Sequence, residues 1–339
     1  MSELKNVMII GLGYAGLEAA NTLAKSLPPD YRIVALQEQP FVFNLIASLR
    51  AGTVPGWENK STTSVDKVFS EGSRHVVLGG AKVVKLGAKS LKLEKVLEGW
   101  GSEIEFEYAV IATGAAHGRF QEDLQASDSI LVLGGGASGV EYAAEVASQY
   151  TEKKVTLVHS RGRLFEPKEF VEKLGPSLAS QLGKKGVKIV YNARTDVGAL
   201  QTGKVEKQSF ELSDGTVAEA DFVFLAHGWK ARSDIVASLD PSLVNDSGFV
   251  KVQPTLQLAS PSYGHIFAAG DVNDVPELKR AGYALRQGSF AAANILALIK
   301  RAGQVGGWFM GWRWLARIAF SKTLGVSRWF AMYNQPARA

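Results

Sequence analysis

The 339-residue sequence predicts an α/β fold that contains two similar strand–turn–helix–strand units. Two glycine-rich turns, at residues 11–16 and 134–139, each follow a short apolar run that is typical of a strand buried on both faces. A helical pattern follows each turn, and a second apolar run follows each helix, at 32–36 and 155–158. This order, found twice, predicts two Rossmann-like dinucleotide-binding domains.

The first turn reads G-x-G-x-x-G and follows the apolar run 7–10. Gly11 permits the tight turn, Gly13 lets the backbone approach a diphosphate, and Gly16 lets the helix pack closely on the sheet. The free N–H groups at the start of the helix attract phosphate oxygens. The candidate cofactor-binding residues of this turn are Gly11, Leu12, Gly13, Tyr14, Ala15 and Gly16.

The second turn follows the apolar run 130–133 and supplies the candidates Gly134, Gly136 and Gly139. A single glycine fingerprint is weak support for nucleotide binding, but two of them, each between a strand and a helix, are difficult to obtain by chance. The alternative is that both are glycine-rich turns of an α/β fold that binds no ligand.

The residues after the second strand of each unit bear on which nucleotide binds. An acidic residue there binds ribose hydroxyls. In the first unit this role falls to Gln37 or Glu38, and we assign it to Glu38. The corresponding segment of the second unit has no carboxylate but contains Arg161 and Arg163. This segment suits a 2′-phosphate, so we expect it to accept NADPH as well as NADH. The alternative is that both arginines are only solvated surface residues.

The composition excludes several kinds of chemistry. The chain contains no cysteine, which rules out a disulfide framework, a redox-active thiol pair, a cysteine nucleophile and an ordinary iron–sulfur cluster. Its five histidines are far apart in sequence, so we expect no metal site. An enzyme of this composition would rely on an organic cofactor for its chemistry.

The positive charge is concentrated at the C-terminal end. The net charge is +5, yet residues 278–339 contain ten Lys and Arg and no Asp or Glu, which leaves −5 on residues 1–277. The basic residues belong to no recognisable nucleic-acid-binding motif, so we expect no nucleic-acid partner.

Further segments complete a pattern that resembles a known family. Alternating residues between 81 and 106 predict an antiparallel β-meander, and a long helix is predicted from 279 to 301. The chain resembles the two-dinucleotide-binding-domain flavoproteins of the pyridine nucleotide-disulfide oxidoreductase superfamily, in the branch that contains apoptosis-inducing factor and ferroptosis suppressor protein. The segments that carry this resemblance are 11–16, 111–114, 134–141, 226–228 and 270–271.

The resemblance implies FAD on the first unit and NAD(P)H on the second. It predicts an FAD-binding domain at 1–119 and 243–303, an NAD(P)H-binding domain at 120–242 inserted in it, and a C-terminal segment at 304–339. Each domain is expected to carry a small antiparallel β-meander. Further cofactor contacts implied by the resemblance involve Arg50 after the second strand, Val83 through its backbone to adenine, Asp271 to the ribityl chain, and Thr113, Gly114 and Gly228 at strand ends.

Glu141 and Lys279 are the candidate catalytic residues. The resemblance places them where nicotinamide stacks over the flavin, so that a cation stabilises the reduced flavin and a carboxylate positions that cation. The alternatives are an acidic residue favoured by the helix macrodipole for Glu141 and a solvated surface residue for Lys279.

These features predict an FAD-dependent NAD(P)H oxidoreductase that reduces a quinone, because a flavoprotein without thiols needs a diffusible acceptor. A reductase for a protein acceptor such as ferredoxin, or a redox-responsive signalling factor like apoptosis-inducing factor, remains an alternative. Only 19 residues separate Gly114 from Gly134, and the stretch between Arg301 and Trp308 is also short; both depart from the family pattern. The acceptor site and the oligomeric state therefore stay open.

The C-terminal segment 304–339 contains four of the seven tryptophans, Trp308, Trp312, Trp314 and Trp329. Aromatic residues on one helical stripe with arginines opposite are typical of a helix in a membrane interface, although these aromatics could instead pack on the flavin domain. The N-terminus shows no signal-peptide or myristoylation pattern, and no apolar run is long enough to span a bilayer. We therefore expect a cytoplasmic protein with peripheral membrane contact.

Overall fold

The computed structural model describes residues 4–115, 121–165, 173–226, 230–277 and 279–303. The strands are β1 (Lys5–Ile10), β2 (Tyr31–Gln37), β3 (Phe41–Phe43), β4 (Thr62–Ser64), β5 (Val76–Gly79), β6 (Val83–Leu86), β7 (Ser90–Leu97), β8 (Gly101–Glu105), β9 (Tyr108–Ile111), β10 (Ser129–Leu133), β11 (Lys154–Val158), β12 (Lys188–Val190), β13 (Gly203–Glu211), β14 (Val217–Leu225) and β15 (Ile266–Ala268). The helices are α1 (Tyr14–Ala24), α2 (Ser48–Ala51), α3 (Glu58–Ser61), α4 (Gln121–Gln125), α5 (Ala137–Gln149), α6 (Leu174–Lys184), α7 (Asp234–Leu239) and α8 (Ala281–Gly303).

The chain divides into two compact units. The first lies within residues 1–46, 62–116 and 229–339, and the second within 47–61 and 117–228. The cofactor domains expected from the sequence, 1–119 with 243–303 and 120–242, differ from these units at 47–61, at 117–119 and between residues 229 and 242. Those domain assignments stay predictions, and the C-terminal segment 304–339 lies outside the described residues.

The first unit is organised around a five-stranded parallel sheet in the order β15-β9-β1-β2-β5. The four apolar residues of β1 are almost fully buried, which explains why the strand reads as a continuous apolar run. The chain passes from β1 outward to β2 and β5 and then returns to β9 on the other side of β1. The carboxyl ends of β1 and β9 therefore form the topological switch point at which such sheets bind ligands.

Two antiparallel elements join this sheet in the first unit. Strands β6, β7 and β8 form the expected meander, and its residues Leu91, Leu93 and Ile104 share a core cluster with Met8 and Ile10 of β1. Strands β3 and β4 form a separate two-stranded hairpin in which Val42 pairs with Thr63. The meander thus covers one face of the parallel sheet, and the hairpin follows the carboxyl end of β2.

The second unit repeats the same plan with a shorter parallel sheet. Its order is β12-β11-β10-β14-β13, parallel except for the antiparallel pair β13–β14. Here the antiparallel element is a hairpin that continues the main sheet, and no separate three-stranded meander occurs among the residues described for this unit. Alternate residues of β10 enter different clusters, Ile130 and Val132 one and Leu131 and Leu133 the other, so the sheet is buried on both faces.

Both units therefore have the Rossmann-type topology predicted from the two glycine-rich turns. Among the described helices, none is long and apolar enough to cross a membrane.

A glycine in α8 sets how closely this helix packs on α1. A Cβ atom added to Gly288 would lie 2.1 Å from the backbone oxygen of Ala15, whereas a Cβ atom at Gly282 of the same helix would meet no atom within 4 Å. We predict that Gly288→Ala destabilises the protein by about 1–3 kcal/mol because the two helices must separate. Gly282→Ala should stabilise it by about 0.5–1 kcal/mol because alanine is the better helix former. Thermal unfolding of the two variants checks this; equal melting temperatures would contradict it.

Candidate functional site

The first glycine-rich turn is packed so tightly that only glycine fits at two positions. Gly11 has a φ of +95°, and a Cβ there would lie 2.5 Å from the backbone oxygen of Ala112, just after β9. A Cβ at Gly16 would lie 1.8 Å from the oxygen of Gly11. These contacts bring the start of α1 to the switch point between β1 and β9.

Gly13 has the opposite environment. It precedes α1 with an ordinary extended conformation (φ −68°, ψ −166°), and a Cβ there would meet no atom within 4 Å. No side chain in the described part of the chain caps this helix at Gly13. The turn therefore forms a cradle with open space at Gly13, directly before the uncapped start of α1, and this geometry fits the diphosphate of a dinucleotide such as FAD.

The second turn has the same construction. Gly134 has a φ of +119° and its added Cβ would lie 2.9 Å from the oxygen of Ala226; at Gly139 the added Cβ would lie 1.8 Å from the oxygen of Gly134. Gly136 begins α5 in an extended conformation with no capping side chain among the described residues, and its added Cβ would meet nothing within 4 Å. A second open cradle results, and it also fits a dinucleotide diphosphate.

A side chain at the end of the second strand holds each turn. In the first unit the side-chain oxygen of Gln37 accepts a hydrogen bond from the Leu12 N–H at 2.8 Å. In the second, Nδ1 of His159 accepts one from the Gly135 N–H at 3.0 Å. Each acceptor directly follows the last residue of the second strand that pairs with the central strand of its sheet, so the two occupy equivalent positions. Gln37 was expected only as an alternative to Glu38 for binding ribose, and no role was expected for His159.

Arg232 links three of the predicted site residues in the first unit. Its guanidinium donates to the carboxylate of Glu38, its backbone N–H donates to the Gly114 oxygen at 2.9 Å, and its backbone oxygen accepts from the Thr113 hydroxyl at 2.7 Å. Sequence reasoning missed Arg232, because no local motif marks it.

A cavity of about 360 Å³ lies beside Glu38. Gly80, Ala81 and Lys82 also line it, and the predicted adenine contact Val83 follows them directly at the start of β6. The cavity is therefore in the position expected for the adenosine part of a dinucleotide whose diphosphate lies at the first turn.

Asp271 and Lys279 are both partly buried in the first unit. The Lys279 ammonium donates to the Asn273 backbone oxygen at 2.6 Å and lies 5.2 Å from the centre of the Phe249 ring. Burial lowers the pKa of Lys279, and the carboxylates of Asp271, Asp274 and Glu277 oppose this shift. Burial raises the pKa of Asp271, which Lys279 in turn opposes. Lys279 is thus not the freely solvated lysine that the alternative interpretation required.

The segment between Asp271 and Lys279 is held by α8. Gln287 accepts hydrogen bonds from the Gly270 N–H at 2.8 Å and from the side chain of Asn273 at 2.7 Å, and both Gln287 and Asn273 are buried. Asn273 also donates to the Ala268 oxygen at the end of β15. Sequence reasoning missed Gln287, although a polar residue on the buried face of an apolar helix is a recognisable signal.

Glu141 lies in the second unit beside an ion pair that the sequence did not predict. Arg50 on α2 donates through Nε at 2.8 Å and Nη2 at 2.6 Å to one oxygen of Glu145, which is one helical turn after Glu141 on α5. Burial raises the pKa of Glu141 to about 7, the Glu145 carboxylate contributes to the rise, and Arg50 opposes it. A buried carboxyl that titrates near neutral pH is typical of functional sites.

Several predicted contacts stay predictions. Arg50 is engaged with Glu145 in the second unit, and its predicted contact with FAD remains untested. Glu141 and Lys279 belong to different units, so their predicted pairing also remains a prediction. The side chains of Arg161 and Arg163 are exposed, as either interpretation requires. Gly228 lies outside the described residues.

Two Rossmann-type units, each with an open glycine cradle, define a protein with two dinucleotide-binding domains. The model of one family, described as pyridine nucleotide-disulphide oxidoreductase, matches residues 5–122 and 117–288. The chain belongs to this family, as its sequence predicted, and membership implies an FAD-dependent pyridine nucleotide oxidoreductase that uses NAD(P)H.

Individual relatives cover most of the chain. Fe-regulated protein 8 of Mycosarcoma maydis is 30% identical over 89% of this chain and 83% of its own length. Ferroptosis suppressor protein 1 of Mus musculus is 29% identical over 98% and 96%, and apoptosis-inducing factor homolog B of Dictyostelium discoideum is 28% identical over 88% and 82%. The predicted resemblance to this branch is confirmed.

Solved structures share the fold. A ferredoxin reductase from Rhodopseudomonas palustris superposes with a TM-score of 0.68 at 21% identity, covering 86% of this chain and 76% of that one. An NAD-dependent persulfide reductase from A. fulgidus gives 0.67 at 22% identity, covering 86% and 59%. At this identity the likeness concerns the fold alone, and it confirms the predicted fold class.

The raised pKa of Glu141 predicts a pH-dependent stability. Its folded-state pKa of about 7 exceeds the ordinary value of 4.5, so the native state loses stability as the pH rises from about 4.5 to about 7 and the carboxyl ionises in a buried site. Glu141→Gln removes this cost. We expect its melting temperature to exceed that of the wild type by roughly 2–6 °C at pH 8 and by much less at pH 5.

Thermal unfolding between pH 5 and pH 8 measures this difference, and the exposed Glu152 supplies a matched control, Glu152→Gln. The control should melt with the wild type at every pH. A Glu141→Gln effect that is constant across the range would show that the Glu141 carboxyl does not titrate there.

Proposed function

We propose that this protein is an FAD-dependent NAD(P)H oxidoreductase that passes electrons to a quinone, with FAD on the first unit and NAD(P)H on the second. The observation that carries the proposal is the pair of open glycine cradles in a chain without cysteine. Two cradles accommodate two dinucleotides. The absence of thiols means that electrons cannot leave through a disulfide of this protein, so they must go to a separate acceptor.

In the first unit the cradle at Gly13 would hold the FAD diphosphate on backbone N–H groups. The Glu38 carboxylate, held by Arg232, would accept hydrogen bonds from ribose hydroxyls, and the backbone at Val83 would border the adenine. Asp271 would accept a hydrogen bond from the ribityl chain, since a carboxylate is a strong acceptor in a site with little water.

The chemistry that FAD would supply when bound in this way is the uptake of two electrons from a nicotinamide and their transfer to the acceptor. Lys279 would place a positive charge beside the isoalloxazine and so favour its reduction. Asn273 holds the ammonium of Lys279, and Gln287 holds Asn273, so this charge is fixed in place before the cofactor reacts.

In the second unit the cradle at Gly136 would hold the NAD(P)H diphosphate, and Arg161 and Arg163 would bind a 2′-phosphate. Glu141 carries a proton that is exchangeable near neutral pH, because burial and Glu145 raise its pKa to about 7. Reduction of a quinone to a quinol consumes two protons as well as two electrons, and Glu141 is suited to take part in that proton transfer.

A quinone fits the remaining features of the sequence. Quinones accept two electrons without a metal or a thiol, and those with isoprenoid tails reside in membranes. The basic, tryptophan-rich segment 304–339 has the composition of a membrane-interface contact, which would bring the protein to such an acceptor.

The two cradles give a test that separates the two cofactors. Gly13 and Gly136 both have backbone angles that any residue adopts, and both have free space around the missing Cβ. Valine at either position should therefore leave the fold intact and obstruct only the ligand. We predict that Gly13→Val purifies without bound flavin, whereas Gly136→Val retains flavin but needs at least about tenfold more NADH or NADPH for half-maximal reduction.

The flavin absorbance of the purified proteins and anaerobic titration with NADH and NADPH measure these outcomes, and circular dichroism establishes that both variants are folded. Loss of flavin from Gly136→Val but not from Gly13→Val would reverse the assignment of the two units.

Anaerobic stopped-flow spectroscopy tests the acceptor. The flavin of the full-length protein should bleach with NADH or NADPH and should regain its colour on mixing with a short-tailed quinone, or with a long-tailed quinone in lipid vesicles. A colourless protein, or a flavin that does not bleach, would contradict the proposed oxidoreductase. Reoxidation by ferredoxin but not by quinone would favour a protein acceptor. Slow reoxidation by every acceptor, with an NADH-dependent change in oligomer size, would favour a signalling factor.

A further inference from the structure

The β3–β4 hairpin of the first unit lies beside the glycine-rich turn. The side chain of Gln37 connects the two, because its oxygen accepts from the Leu12 N–H at 2.8 Å while its Nε2 donates to the Phe41 oxygen of β3 at 3.3 Å. A second connection lies at the other end of β3, where the Tyr14 hydroxyl donates to Oδ1 of Asn44 at 2.5 Å. Tyr14 is the first residue of α1. The hairpin is therefore fixed next to the open start of this helix.

Asn44 is 0% exposed, and its amide orientation is determined by its neighbours. Its Oδ1 accepts from the Ile46 N–H at 3.2 Å as well as from Tyr14, and a backbone N–H can only donate, so this atom must be the oxygen. The other terminal atom of the amide is therefore the nitrogen Nδ2, which can only donate. Within the described residues Nδ2 has no hydrogen-bond partner.

Thr63 on β4 is a second buried residue with a polar group that is unpaired among the described residues. It is 1% exposed, and its hydroxyl has no hydrogen-bond partner in the part of the chain that the structure describes. Thr63 pairs with Val42 on β3, and Val42 and Asn44 are both buried whereas Phe41, Phe43 and Thr62 are only half-buried. The alternation places Val42, Asn44 and Thr63 on one buried face of the hairpin.

Folded proteins rarely leave buried polar groups unpaired, and two such groups on one small face indicate that a bound molecule supplies their partners. The nitrogen of an amide only donates, so the atom that it binds is an acceptor. Tyr14, which donates a hydrogen bond to Asn44, lies at the open start of α1, where the first dinucleotide would bind. FAD offers acceptor oxygens on its diphosphate and on its flavin ring.

We propose that the Asn44 amide and the Thr63 hydroxyl form a second wall of the first dinucleotide site and donate hydrogen bonds to acceptor oxygens of the bound cofactor. This inference rests on the proposed function, which places FAD on the first unit. It adds two binding residues that neither the glycine fingerprint nor the family segments contain. The roles of the two walls differ: backbone N–H groups of α1 bind phosphate, whereas these side chains select the pose of the cofactor.

Thr63→Val is the most direct test. Valine keeps the shape of threonine and its preference for strands but removes the hydroxyl. In full-length protein stripped of FAD, the variant should be at least as stable as the wild type, because a buried unpaired hydroxyl disappears. Its dissociation constant for FAD should rise about tenfold, because the bound cofactor loses a hydrogen bond. Thr62→Val, on the other face of the same strand, is the matched control and should bind FAD like the wild type.

Asn44→Asp tests the amide separately. The carboxylate still accepts from Tyr14 and Ile46 but presents an oxygen in place of Nδ2. It should therefore weaken FAD binding by about tenfold or more, since an acceptor now faces an acceptor. Release of FAD on serial dilution, followed by its fluorescence, measures the dissociation constants, and thermal unfolding measures stability.

Weaker FAD binding by Thr63→Val without loss of stability would support the inference, since a purely structural role predicts the opposite pattern. Wild-type affinity in Thr63→Val overturns the role of Thr63, and wild-type affinity in a folded Asn44→Asp overturns that of Asn44. If Asn44→Asp does not fold, Thr63→Val decides whether the hairpin face binds the cofactor. A wild-type protein that does not bind FAD would overturn the proposed function, and this inference with it.

Discussion

The close approach of backbone to backbone at the two glycine-rich turns is the constraint on which each unit depends. At Gly16 and Gly139 a single methyl group would lie 1.8 Å from a backbone oxygen of the same turn, which no packing adjustment relieves. Because these positions lack side chains, the first turn of α1 and of α5 reaches the carboxyl ends of the central strands. The helix start is then left open at Gly13 and Gly136, and the surface formed there from backbone alone is of the kind that suits a phosphate.

In each unit one side chain stabilises the glycine-rich turn. The two side chains differ in type but accept the same kind of backbone hydrogen bond. An amide oxygen of Gln37 and an imidazole nitrogen of His159 each accept one N–H from the turn. What this position requires is a neutral hydrogen-bond acceptor at a fixed distance, and several residue types provide one. A search for a carboxylate therefore directs attention to Glu38, which is the next residue, faces a cavity and is paired with Arg232.

Each unit also carries a titratable group in a partly buried place, and neighbouring side chains set its position or its protonation state. Lys279 depends on Asn273 and Gln287 for its position, whereas Glu141 depends for its protonation state on Glu145 and Arg50. Burial moves the pKa of Lys279 down and that of Glu141 up, in both cases towards the neutral form. The pKa of Glu141, at about 7, lies where a small change of environment alters the charge of its carboxyl.

The sequence by itself determined the two Rossmann-type units, their glycine cradles, the meander of the first unit and the family, because each of these depends on local order: an apolar run, glycines at set intervals and a helix. It also determined that no disulfide carries the electrons, since the chain contains no cysteine. Only the tertiary structure placed Arg232 against Glu38, Arg50 against Glu145, and Gln287 under the turn at Gly270. These pairs join residues from 17 to 194 positions apart, and no local periodicity encodes such contacts. They arise when the sheets assemble and the desolvated groups must find partners.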